Sequence, residues 1–328
     1  MSLFPGSLLK VAVLRGGSSP DYESSMKAGE KALSALRSKS DVYDPVDIFI
    51  SKEGEWYLSG IRREPHKALK YVDVVFNALH GKNGEDLQVQ NLLSFLCLPY
   101  TGSSAVGSSL TLNKDMAKQV YASHGLLTPR SEIISAEDEP EKLVHIFRNY
   151  LHPLVIKPSS ADGGRGVRLA YTFEDLVRAV DEALEYSPRV LIEEFVRGKE
   201  ASCSIVERVR GENLYALMPV EVATPMKNKI PDYESKFRNE REILTKTSFS
   251  TDEHKMLEHT ARRAHEALGL GHYSRSDMIL TPQGKIYLLE TSSEPFSPGD
   301  PLEESLSSVG WSTDDFVDHL VQLAIRRK

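Results

Sequence analysis

The chain has 328 residues, with 40 Lys and Arg against 47 Asp and Glu, so its formal net charge is −7. Its hydrophobic share of 40% and charged share of 27% are ordinary for a globular protein, and its length predicts two or three domains. The acidic balance argues against a main role in binding nucleic acid, because neutralising phosphates needs a basic surface. A local basic site for a small phosphorylated ligand remains compatible with it.

Apolar runs alternate with helical patterns in the first part of the chain, which is typical of α/β units. Lys10–Leu14 and Val72–Leu79 are predicted to be strands of a small open parallel sheet, with a helix near Ser24–Ser38 between them. A helix near Asp86–Leu96 and a short strand at Leu98–Thr101 are expected to follow. The ligand crevice of such a sheet lies beyond the carboxyl ends of its strands. The loops at that edge contain Gly16-Gly17, His80-Gly81 and Gly102.

The middle of the chain predicts an α+β unit with antiparallel pairing. From Asn113 the pattern is that of a helix, which Gly125 closes. Leu154–Lys157 is predicted to be a strand, and a glycine-rich loop follows at residues 159–166. The further predicted elements are one amphipathic helix and three strands. They are Glu174–Leu184, Val190–Phe195, Ala201–Arg208 and Leu214–Val222.

The last part of the chain combines a long polar segment with a hairpin. Residues 224–248 are rich in Lys and Pro, and we expect a functional cover there in preference to a disordered segment. A helix is predicted at His254–Leu268, and Arg275–Leu280 with Lys285–Glu290 predict a hairpin. The final helix is predicted to begin at Ser312.

Cysteine use and apolar runs give no sign of a secreted or membrane protein. Cys97 and Cys203 each lie in an apolar stretch and are predicted to be buried thiols. No C-x-x-C pair, no apolar run of about 18 residues and no signal-peptide pattern occur in the sequence. We therefore expect a cytoplasmic location, with neither a membrane nor a nucleic acid as partner.

Two lysines indicate a phosphate site. The sequence has no Walker-type loop, and Gly16-Gly17 alone also fits a tight turn. Lys114 opens a helix, and Lys157 ends a strand just before the glycine-rich loop, whose backbone N–H groups are suited to bind phosphate oxygens. A lone Lys at a strand end is more often a solvated charge, but together these features favour a polyphosphate ligand.

Three carboxylates lie at and after the next strand. Glu193 and Glu194 end an apolar run, where backbone groups are placed to meet a purine edge, and Glu200 is suited to accept hydrogen bonds from ribose hydroxyls. Taken alone, all three also fit plain surface charge.

The C-terminal hairpin carries a second pair of carboxylates. Asp277 and Glu290 stand 13 residues apart, and cross-strand pairing would place both on one face. Two unpaired carboxylates on apolar strands are costly, and a hard divalent cation such as Mg²⁺ resolves that cost while bridging to phosphates. Arg275 is predicted to project from the same face and to meet a developing anion. The alternative is a structural Arg–Asp pair.

These pieces, in this order, resemble the D-alanine–D-alanine ligase family of the ATP-grasp superfamily, from Val11 to about Ile325. The segments that carry the resemblance are RGGSSPDYESS (15–25), NALHGKNGEDLQVQNLL (77–93), PYTGSSAVGSSLTLNKDMAK (99–118), LVIKPSSADGGRGV (154–167), VLIEEFVRGKE (190–200), PDYESKF (231–237) and RSDMILTPQGKIYLLETSSEP (275–295). HGKNGED followed by PYTGSS and NKDMAK is specific for this family among ATP-grasp enzymes. Each piece alone is weak.

The resemblance implies an α/β, three-domain ATP-grasp fold. Residues 1–104 would form a Rossmann-like domain with a parallel sheet, 105–196 the central subdomain, and 197–328 the C-terminal subdomain with the metal site and lid. ATP and Mg²⁺ (or Mn²⁺) would lie between the last two. ATP would phosphorylate one D-alanine, and the amine of a second would attack the acylphosphate, giving D-alanyl-D-alanine for peptidoglycan synthesis.

The resemblance also assigns site residues, position by position. Those implied for ATP are Lys114, Lys157, Gly163, Gly164, Glu193, Glu194, Val196 and Glu200. Those implied for the metal are Asp277, Glu290 and Ser292. Those implied for substrates and catalysis are Asp21, Ser25, His80, Glu85, Lys236, Phe237, Arg275, Phe296, Pro301 and Leu302. Among them Asp21 would hold the first substrate's ammonium group, Arg275 would stabilise the tetrahedral oxyanion, and Lys236 would lie in the closing lid.

Departures from the family pattern fall mainly on the acceptor side. The loop after Lys157 reads Asp162-Gly163-Gly164-Arg165-Gly166 in place of a serine-containing one. Ser292 replaces the usual Asn ligand, and Phe296 replaces a Gly whose N–H helps to form the oxyanion hole. Pro301-Leu302 replaces a Ser-Leu pair that meets the second substrate's carboxylate. Phe237 replaces a common Tyr and is found in members that accept a hydroxy acid.

Three functions remain open at this point. The first is the D-alanine ligase, for which the resemblance implies a homodimer, as is common in the family. The second is the same acylphosphate chemistry with another acceptor, such as D-lactate, D-serine or an unrelated amino acid. The third is an ATP-binding protein without turnover, against which Arg275 at the reaction centre argues.

Overall fold

The computed structural model describes residues 8–80, 87–160, 164–223, 242–244, 247–297 and 299–326. The helices, in chain order, are α1 Tyr22–Ser38, α2 Pro65–Ala68, α3 Leu87–Phe95, α4 Ala105–Leu112, α5 Lys114–Ser123, α6 Pro140–Asn149, α7 Phe173–Leu184, α8 Thr251–Ala267, α9 Pro301–Ser308 and α10 Thr313–Arg326. The strands are β1 Leu9–Gly16, β2 Tyr43–Ile50, β3 Trp56–Leu58, β4 Ile61–Arg62, β5 Val74–Asn77, β6 Ser131–Ser135, β7 Leu154–Pro158, β8 Arg168–Ala170, β9 Arg189–Glu194, β10 Lys199–Val209, β11 Glu212–Ala216, β12 Val220–Ala223, β13 Glu242–Leu244, β14 Tyr273–Leu280 and β15 Ile286–Ser292.

The first sheet has the strand order β4-β3-β2-β1-β5. The predicted parallel pairing holds for β1 with β5. The strand β2, which was not predicted, also pairs in parallel with β1, and β3 and β4 are antiparallel, so the sheet is mixed. The predicted strand at Leu98–Thr101 is wrong, because only an isolated bridge between Val75 and Tyr100 forms there. Gly16 ends β1 at φ +95°, and a Cβ atom there would lie 2.2 Å from the Ile50 carbonyl oxygen. Only glycine fits that turn.

The second sheet is fully antiparallel, in the order β6-β9-β7-β8. One face is covered by α7, whose apolar residues Leu176, Ala179, Val180 and Ala183 are buried. Thr172 and Asp175 form a capping box that fixes where α7 begins. The strand β7 is buried along its whole length, so Lys157 reaches the site from a rigid support.

The third sheet is built around the long strand β10, in the order β13-β12-β10-β14-β15 with β11 also paired to β10. The predicted strand at Leu214–Val222 is in fact two strands, β11 and β12. The hairpin β14–β15 forms as predicted, and a bulge lies between Asp277 and Met278. The helix α8 packs on this sheet through Leu257, Ala261 and Ala264.

The two ends of the chain share a core. Phe316, Leu320 and other buried residues of α10 cluster with Val11 of β1 and Ala32 of α1. Tyr43 donates a hydrogen bond from its hydroxyl to Asp318 of the same helix. The last helix therefore covers a face of the first sheet, although the predicted boundaries assign it to the third domain, residues 197–328.

The predictions for the two cysteines, for residues 224–248 and for membrane-spanning helices have different outcomes. Cys203 is buried as expected, but the prediction that Cys97 is buried is wrong, because it is exposed in the turn after α3 with φ +53°. Most of the expected cover at residues 224–248 lies outside the described residues. Among the helices that the structure describes, none is long and apolar enough to cross a membrane.

Candidate active site

Lys114 lies at the start of α5, where the helix meets the glycine-rich loop. Asn113 caps the helix by accepting a hydrogen bond from the Met116 N–H at 3.1 Å, and the Lys114 N–H donates to the Ser159 carbonyl at 3.0 Å. The Lys114 Nζ atom lies 3.5 Å from Oε2 of Glu290 on the hairpin. Lys114 therefore links the loop after β7 to the Glu290 carboxylate of β15.

A buried triad of charges lies beside it. Glu193 is 1% exposed, and its two carboxylate oxygens lie 2.6 Å from Nζ of Lys157 and 2.6 Å from Nζ of Lys118. Lys118 also donates to the Thr128 hydroxyl and the Pro129 carbonyl, each at 2.7 Å. The formal charges of the two lysines and Glu193 sum to +1, which suits a polyanionic ligand.

The pKa values in the triad follow from burial and pairing. Burial acts to raise the pKa of the Glu193 carboxyl, but Lys157 and Lys118 outweigh burial and lower it. Burial lowers the pKa of Lys118, with Glu193 acting in the opposite direction. Glu193 is thus an ionised, buried group and not the surface charge that its sequence alone also allows.

The structure describes the glycine-rich loop at residues 159–160 and 164–166. Gly164 and Gly166 both have positive φ, +72° and +69°. Between them, Arg165 donates hydrogen bonds from Nη1 and Nη2 to the two oxygens of Asp21, at 3.0 and 2.7 Å. The loop after β7 is therefore tied to the start of α1 by a bidentate ion pair.

The strand end at Glu194 leads away from this triad. The Glu194 N–H donates to the Arg130 carbonyl at 3.0 Å, and Oε1 of its side chain lies 3.7 Å from Arg130 Nη1. Val196 is half-buried in the connection to β10, and Glu200 lies on β10 opposite Ile279. The predicted adenine and ribose residues thus lie at the end of β9, in the connection to β10 and on β10 itself.

The hairpin carboxylates pair as the spacing predicts. Asp277 and Glu290 are direct cross-strand neighbours of β14 and β15, and Arg275 is paired with Ser292 in the same register. Asp277 accepts a hydrogen bond from the Ser202 hydroxyl at 2.7 Å and is buried, whereas the Glu290 side chain is 38% exposed. Side-chain oxygen atoms that could bind a cation therefore lie along one face of the hairpin. They belong to Asp277, Glu290 and Ser292.

Arg275 lies between two carboxylates. Its Nε and Nη2 atoms each donate to an oxygen of Asp277 at 3.1 Å, and Nη1 donates to Oδ2 of Asp300. Burial raises the pKa of Asp300 to about 6, although Arg275 acts to lower it. The Arg–Asp pair that the sequence left open is present, and Asp300 extends it.

Hydrogen bonds to backbone groups hold the residues that are predicted to bind the first substrate. The buried Ser25 hydroxyl accepts a hydrogen bond from the Gly16 N–H at 2.8 Å, so Ser25 fixes the turn that ends β1. The Ser19 hydroxyl donates to the His80 carbonyl at 2.7 Å and accepts from the Asp21 N–H at 3.1 Å. Ser19 thereby joins the loops that carry Asp21 and His80.

Phe296 and Leu302 point into the protein core. The Phe296 ring is 3% exposed and lies 5.6 Å from Phe76 and 5.8 Å from Phe316 between ring centroids. Leu302 is fully buried in the same cluster, and its N–H donates to Oδ1 of Asp300 at 2.9 Å. Any substrate contact from Phe296 or Leu302 would therefore involve the backbone, while Pro301 is partly buried.

Some residues predicted for the site lie outside the part of the chain that the structure describes. Other residues of the site were not predicted from the sequence. Glu85, Gly163, Lys236 and Phe237 lie outside the described residues. Lys118, Asp300 and the Arg165 contact to Asp21 were not foreseen. Lys118 lies four residues after Lys114 in the NKDMAK motif, a helical spacing that places it one turn further on the same helix and is a usable signal.

The donor chemistry of the hairpin fits a hard divalent cation. Its donors are oxygens, which Mg²⁺ and Mn²⁺ prefer. Within the described part of the chain, no group of three or more His, Cys, Asp or Glu side chains forms a ready-made metal cage. Two protein carboxylates supplemented by ligand phosphates are the usual arrangement for Mg²⁺.

The fold and the site together define an ATP-grasp enzyme of the carboxylate–amine ligase class. A family model described as the D-ala D-ala ligase C-terminus matches residues 121–322, and one described as the D-ala D-ala ligase N-terminus matches residues 59–103. A D-alanine–D-alanine ligase of Geobacter sulfurreducens is 30% identical over 315 residues, which cover 95% of this chain and 93% of the relative. One of Cupriavidus taiwanensis is 31% identical over 318 residues, 95% of this chain and 91% of the relative. The chain belongs to the D-alanine–D-alanine ligase family, as the motif resemblance predicted.

Solved structures agree on the fold. The VanG D-Ala:D-Ser ligase of Enterococcus faecalis superposes with a TM-score of 0.82 at 24% identity, covering 97% of this chain and 100% of that chain. The D-alanine–D-alanine ligase of Coxiella burnetii gives 0.81 at 23% identity, with 98% and 94% covered. The predicted α/β ATP-grasp fold is confirmed.

Proposed function

We propose that this chain is an ATP-dependent ligase that joins two D-alanines through an acylphosphate to give D-alanyl-D-alanine, a precursor for peptidoglycan. The observation that carries the proposal is the 3.5 Å approach of Lys114 Nζ to Glu290 Oε2. It brings the phosphate-directed lysine at the start of α5 against a metal-directed carboxylate of β15. Relatives about 30% identical over most of the chain that are named D-alanine–D-alanine ligases support it.

The nucleotide is assigned to the gap between the second and third sheets. Lys114 and Lys157 hold its phosphates, with the backbone of the loop through Gly163 and Gly164. Glu193, Glu194 and Val196 border the adenine, and Glu200 accepts hydrogen bonds from the ribose. The net positive charge of the Lys118–Glu193–Lys157 triad favours a polyphosphate at this position.

Asp277, Glu290 and Ser292 would hold Mg²⁺ or Mn²⁺, which supplies charge neutralisation to the reacting phosphates when bound. Arg275 is held in place by Asp277 and Asp300 and donates hydrogen bonds toward the oxyanion that forms on the attacked carbonyl. Asp21 binds the ammonium group of the first D-alanine once Arg165 releases it, with Ser25, His80 and Glu85 around it. Lys236 and Phe237 belong to the closing segment.

We further propose the domain division at residues 1–104, 105–196 and 197–328, a cytoplasmic location and a homodimer. The separate sheets within these ranges support the division. Small molecules, ATP and D-alanine, are the partners that the site chemistry fits, and we assign neither a nucleic acid nor a membrane.

The test is phosphate release from ATP by purified protein with a panel of D- and L-amino acids and hydroxy acids, with product identified by mass spectrometry. The proposal predicts release with D-alanine alone and a D-alanyl-D-alanine product. Phosphate release only when a different acceptor is added would show that the second substrate is that acceptor and not D-alanine. Nucleotide binding without release on any substrate would contradict catalysis.

A further inference from the structure

Glu294 is a buried carboxylate in the segment that follows β15 (residues 293–297). Its side chain is 3% exposed and accepts hydrogen bonds from two side-chain amides. Asn77 Nδ2, at the end of β5, donates to Oε2 at 2.9 Å, and Gln90 Nε2, on α3, donates to Oε1 at 3.2 Å. Both amides are themselves buried. The segment after β15 is therefore held against the end of β5 and against α3.

Phe296, two residues after Glu294, packs on the same strand. Its buried ring lies 5.6 Å from the ring of Phe76 between centroids. Phe76 and Asn77 are consecutive residues of β5, and consecutive residues of a strand point to opposite faces of the sheet. The chain from Glu294 to Phe296 thus crosses the carboxyl end of β5, with one side chain fixed on each face.

Two more contacts fix the position of this segment. The Ser293 hydroxyl accepts a hydrogen bond from Thr111 Oγ1 of α4 at 3.2 Å. Gly102 has φ +97°, and a Cβ atom there would lie 2.7 Å from Glu294 Oε1, so glycine at this position makes room for the carboxylate. By the predicted boundaries, the segment belongs to the third domain and touches residues of the other two.

The segment that Glu294 holds runs between two neighbours of Arg275. Ser292, just before it, pairs with Arg275 across the hairpin, and Asp300, just after it, accepts a hydrogen bond from Arg275 Nη1. A charged donor stabilises an oxyanion only when it is already aimed at the place where the charge develops. The contacts of Glu294 therefore bear on the aim of the guanidinium group. The lysines assigned to the phosphates lie elsewhere, on α5 and β7.

We propose that Glu294 is a positioning residue for the acyl-transfer step, which holds the segment beside Arg275 so that the oxyanion forms next to the guanidinium group. In that step the acceptor nitrogen bonds to the acyl carbon and the carbonyl electrons move onto oxygen. They then return, the bond from carbon to the phosphate oxygen breaks, inorganic phosphate leaves, and the nitrogen loses a proton to solvent. The proposal rests on the ligase function above and adds a residue to its second step.

A single-turnover experiment separates the two steps. Full-length protein in excess over ATP is mixed with Mg²⁺ and D-alanine and is quenched in acid at intervals. The amount of ADP measures phosphorylation, and the amount of D-alanyl-D-alanine measures acyl transfer. A smaller fraction of active protein lowers the amplitudes and not the rate constants, so loss of folded protein alone does not change the ratio of the two rate constants.

Glu294→Gln is expected to slow acyl transfer selectively. One oxyanion donor is typically worth about 100–1,000-fold in rate, so a misaimed donor should lower the rate constant for the dipeptide at least about tenfold. The rate constant for ADP should stay within about twofold of wild type, because the phosphate-directed lysines are unchanged.

An exchange of donor and acceptor tests the hydrogen bond itself. Glu294→Gln sets an amide N–H against one of its two donors, and Asn77→Asp sets a second carboxylate against Glu294, so each change alone should slow formation of the dipeptide. In the double variant the carboxylate at position 77 accepts from the amide at position 294, whose oxygen still accepts from Gln90. The rate constant for the dipeptide should then return to within about threefold of wild type.

Two further variants complete the test. Glu132→Gln makes the same chemical change on β6, where Glu132 accepts a hydrogen bond from the Tyr150 hydroxyl at 3.1 Å, and it should leave both rate constants as in wild type. Gln90→Met removes one donor without adding charge and covers the case in which Glu294→Gln does not fold; it should also slow the dipeptide and not ADP. Equal rate constants for ADP and dipeptide in these Glu294 and Gln90 variants, or a double variant as slow as the single ones, overturns the proposal.

The wild-type protein distinguishes this failure from failure of the ligase function. If wild type forms no ADP or no dipeptide from D-alanine, the proposed function itself is wrong and the Glu294 proposal fails with it. If wild type forms both products while the variants contradict the expectation, only the role of Glu294 is refuted.

Discussion

At the scale of residues, the candidate site is a set of paired charges of opposite sign. The pairs are Lys157 and Lys118 with Glu193, Lys114 with Glu290, Arg165 with Asp21, and Arg275 with Asp277. Buried charges without partners are costly, so removing one member of a buried pair is expected to be more destabilising than removing an exposed one.

Glu290→Gln should abolish turnover while leaving the fold intact, because a charged metal ligand is lost from an accessible position. Steady-state phosphate release and thermal unfolding measure the two effects. Glu182→Gln is the matched control, since Glu182 pairs with Arg168 and has a similar side-chain exposure, 36% against 38%. Turnover of the Glu290 variant within about tenfold of wild type, or about 1.4 kcal/mol of barrier, would refute the metal assignment.

Lys118→Met should lower the free energy of unfolding by about 3–5 kcal/mol, because Glu193 loses one of two partners and two hydrogen-bond acceptors lose their donor. Urea denaturation measures it. Lys142→Met removes an exposed pair with Asp138 and should cost less than about 1 kcal/mol. A Lys118 effect no larger than that of Lys142 would show that the triad is not a stabilising unit.

Residues predicted from sequence were those with local signals. Lys157 precedes a glycine-rich loop, and Asp277 lies at a strand position that alternation defines. Asp300 gave no such signal, because it stands in a Ser-, Pro- and Gly-rich loop without periodicity and its partner Arg275 is 25 residues away. Contacts across that separation depend on the tertiary fold.

At the scale of elements, the hairpin β14–β15 was predictable and the strand β2 was not. The apolar runs on either side of Thr281-Pro282-Gln283-Gly284 predict the hairpin, and the strands pair with a register shift between Asp277 and Met278. Tyr43–Ile50 reads YDPVDIFI, with Pro45 and two aspartates that disfavour a strand. It forms because it pairs in parallel with β1 and because Arg15 Nε donates a hydrogen bond to Asp47 Oδ1 at 2.7 Å.

Gly166→Ala should destabilise the protein by more than backbone strain alone, because a Cβ atom at φ +69° would lie 2.8 Å from Pro158 Cγ and 2.8 Å from Tyr186 Cδ2. Left-handed backbone at a non-glycine residue costs about 1–3 kcal/mol. Gly211→Ala, at φ +84° with no atom within 4 Å of the new Cβ, isolates that backbone cost. Equal losses of unfolding free energy in the two variants would contradict the close packing assigned to Gly166.

At the scale of the whole molecule, the two ends of the chain pack against each other in one core. Residues of α10 and the loop at Phe296 pack against the first sheet, so the last helix supports the sheet whose loops carry Asp21 and His80. The apolar residues of α10 recur at helical spacing and form its buried face, but their pattern does not specify a partner, because an amphipathic helix specifies that it packs and not what it packs against. The net charge of −7 likewise describes the surface and not the site.

Phe316→Ala should lower the free energy of unfolding by about 3–5 kcal/mol, since the ring is fully buried and lies 5.4 Å from Tyr273 and 5.8 Å from Phe296. Denaturant titration measures the loss. Phe95→Ala is the control, because Phe95 is 84% exposed and should change stability by less than about 0.5 kcal/mol. A loss at Phe316 comparable with that at Phe95 would show that the two ends of the chain do not share a core.

The measurement that tests the central claim most directly follows an oxygen atom. D-Alanine labelled with ¹⁸O in its carboxylate is incubated with the protein, ATP and Mg²⁺, and the released phosphate is examined by mass spectrometry. An acylphosphate ligase transfers one labelled oxygen to phosphate for each D-alanyl-D-alanine formed, because the carboxylate oxygen attacks the γ-phosphorus and leaves with it. Phosphate without label, or labelled phosphate without dipeptide, would contradict the account.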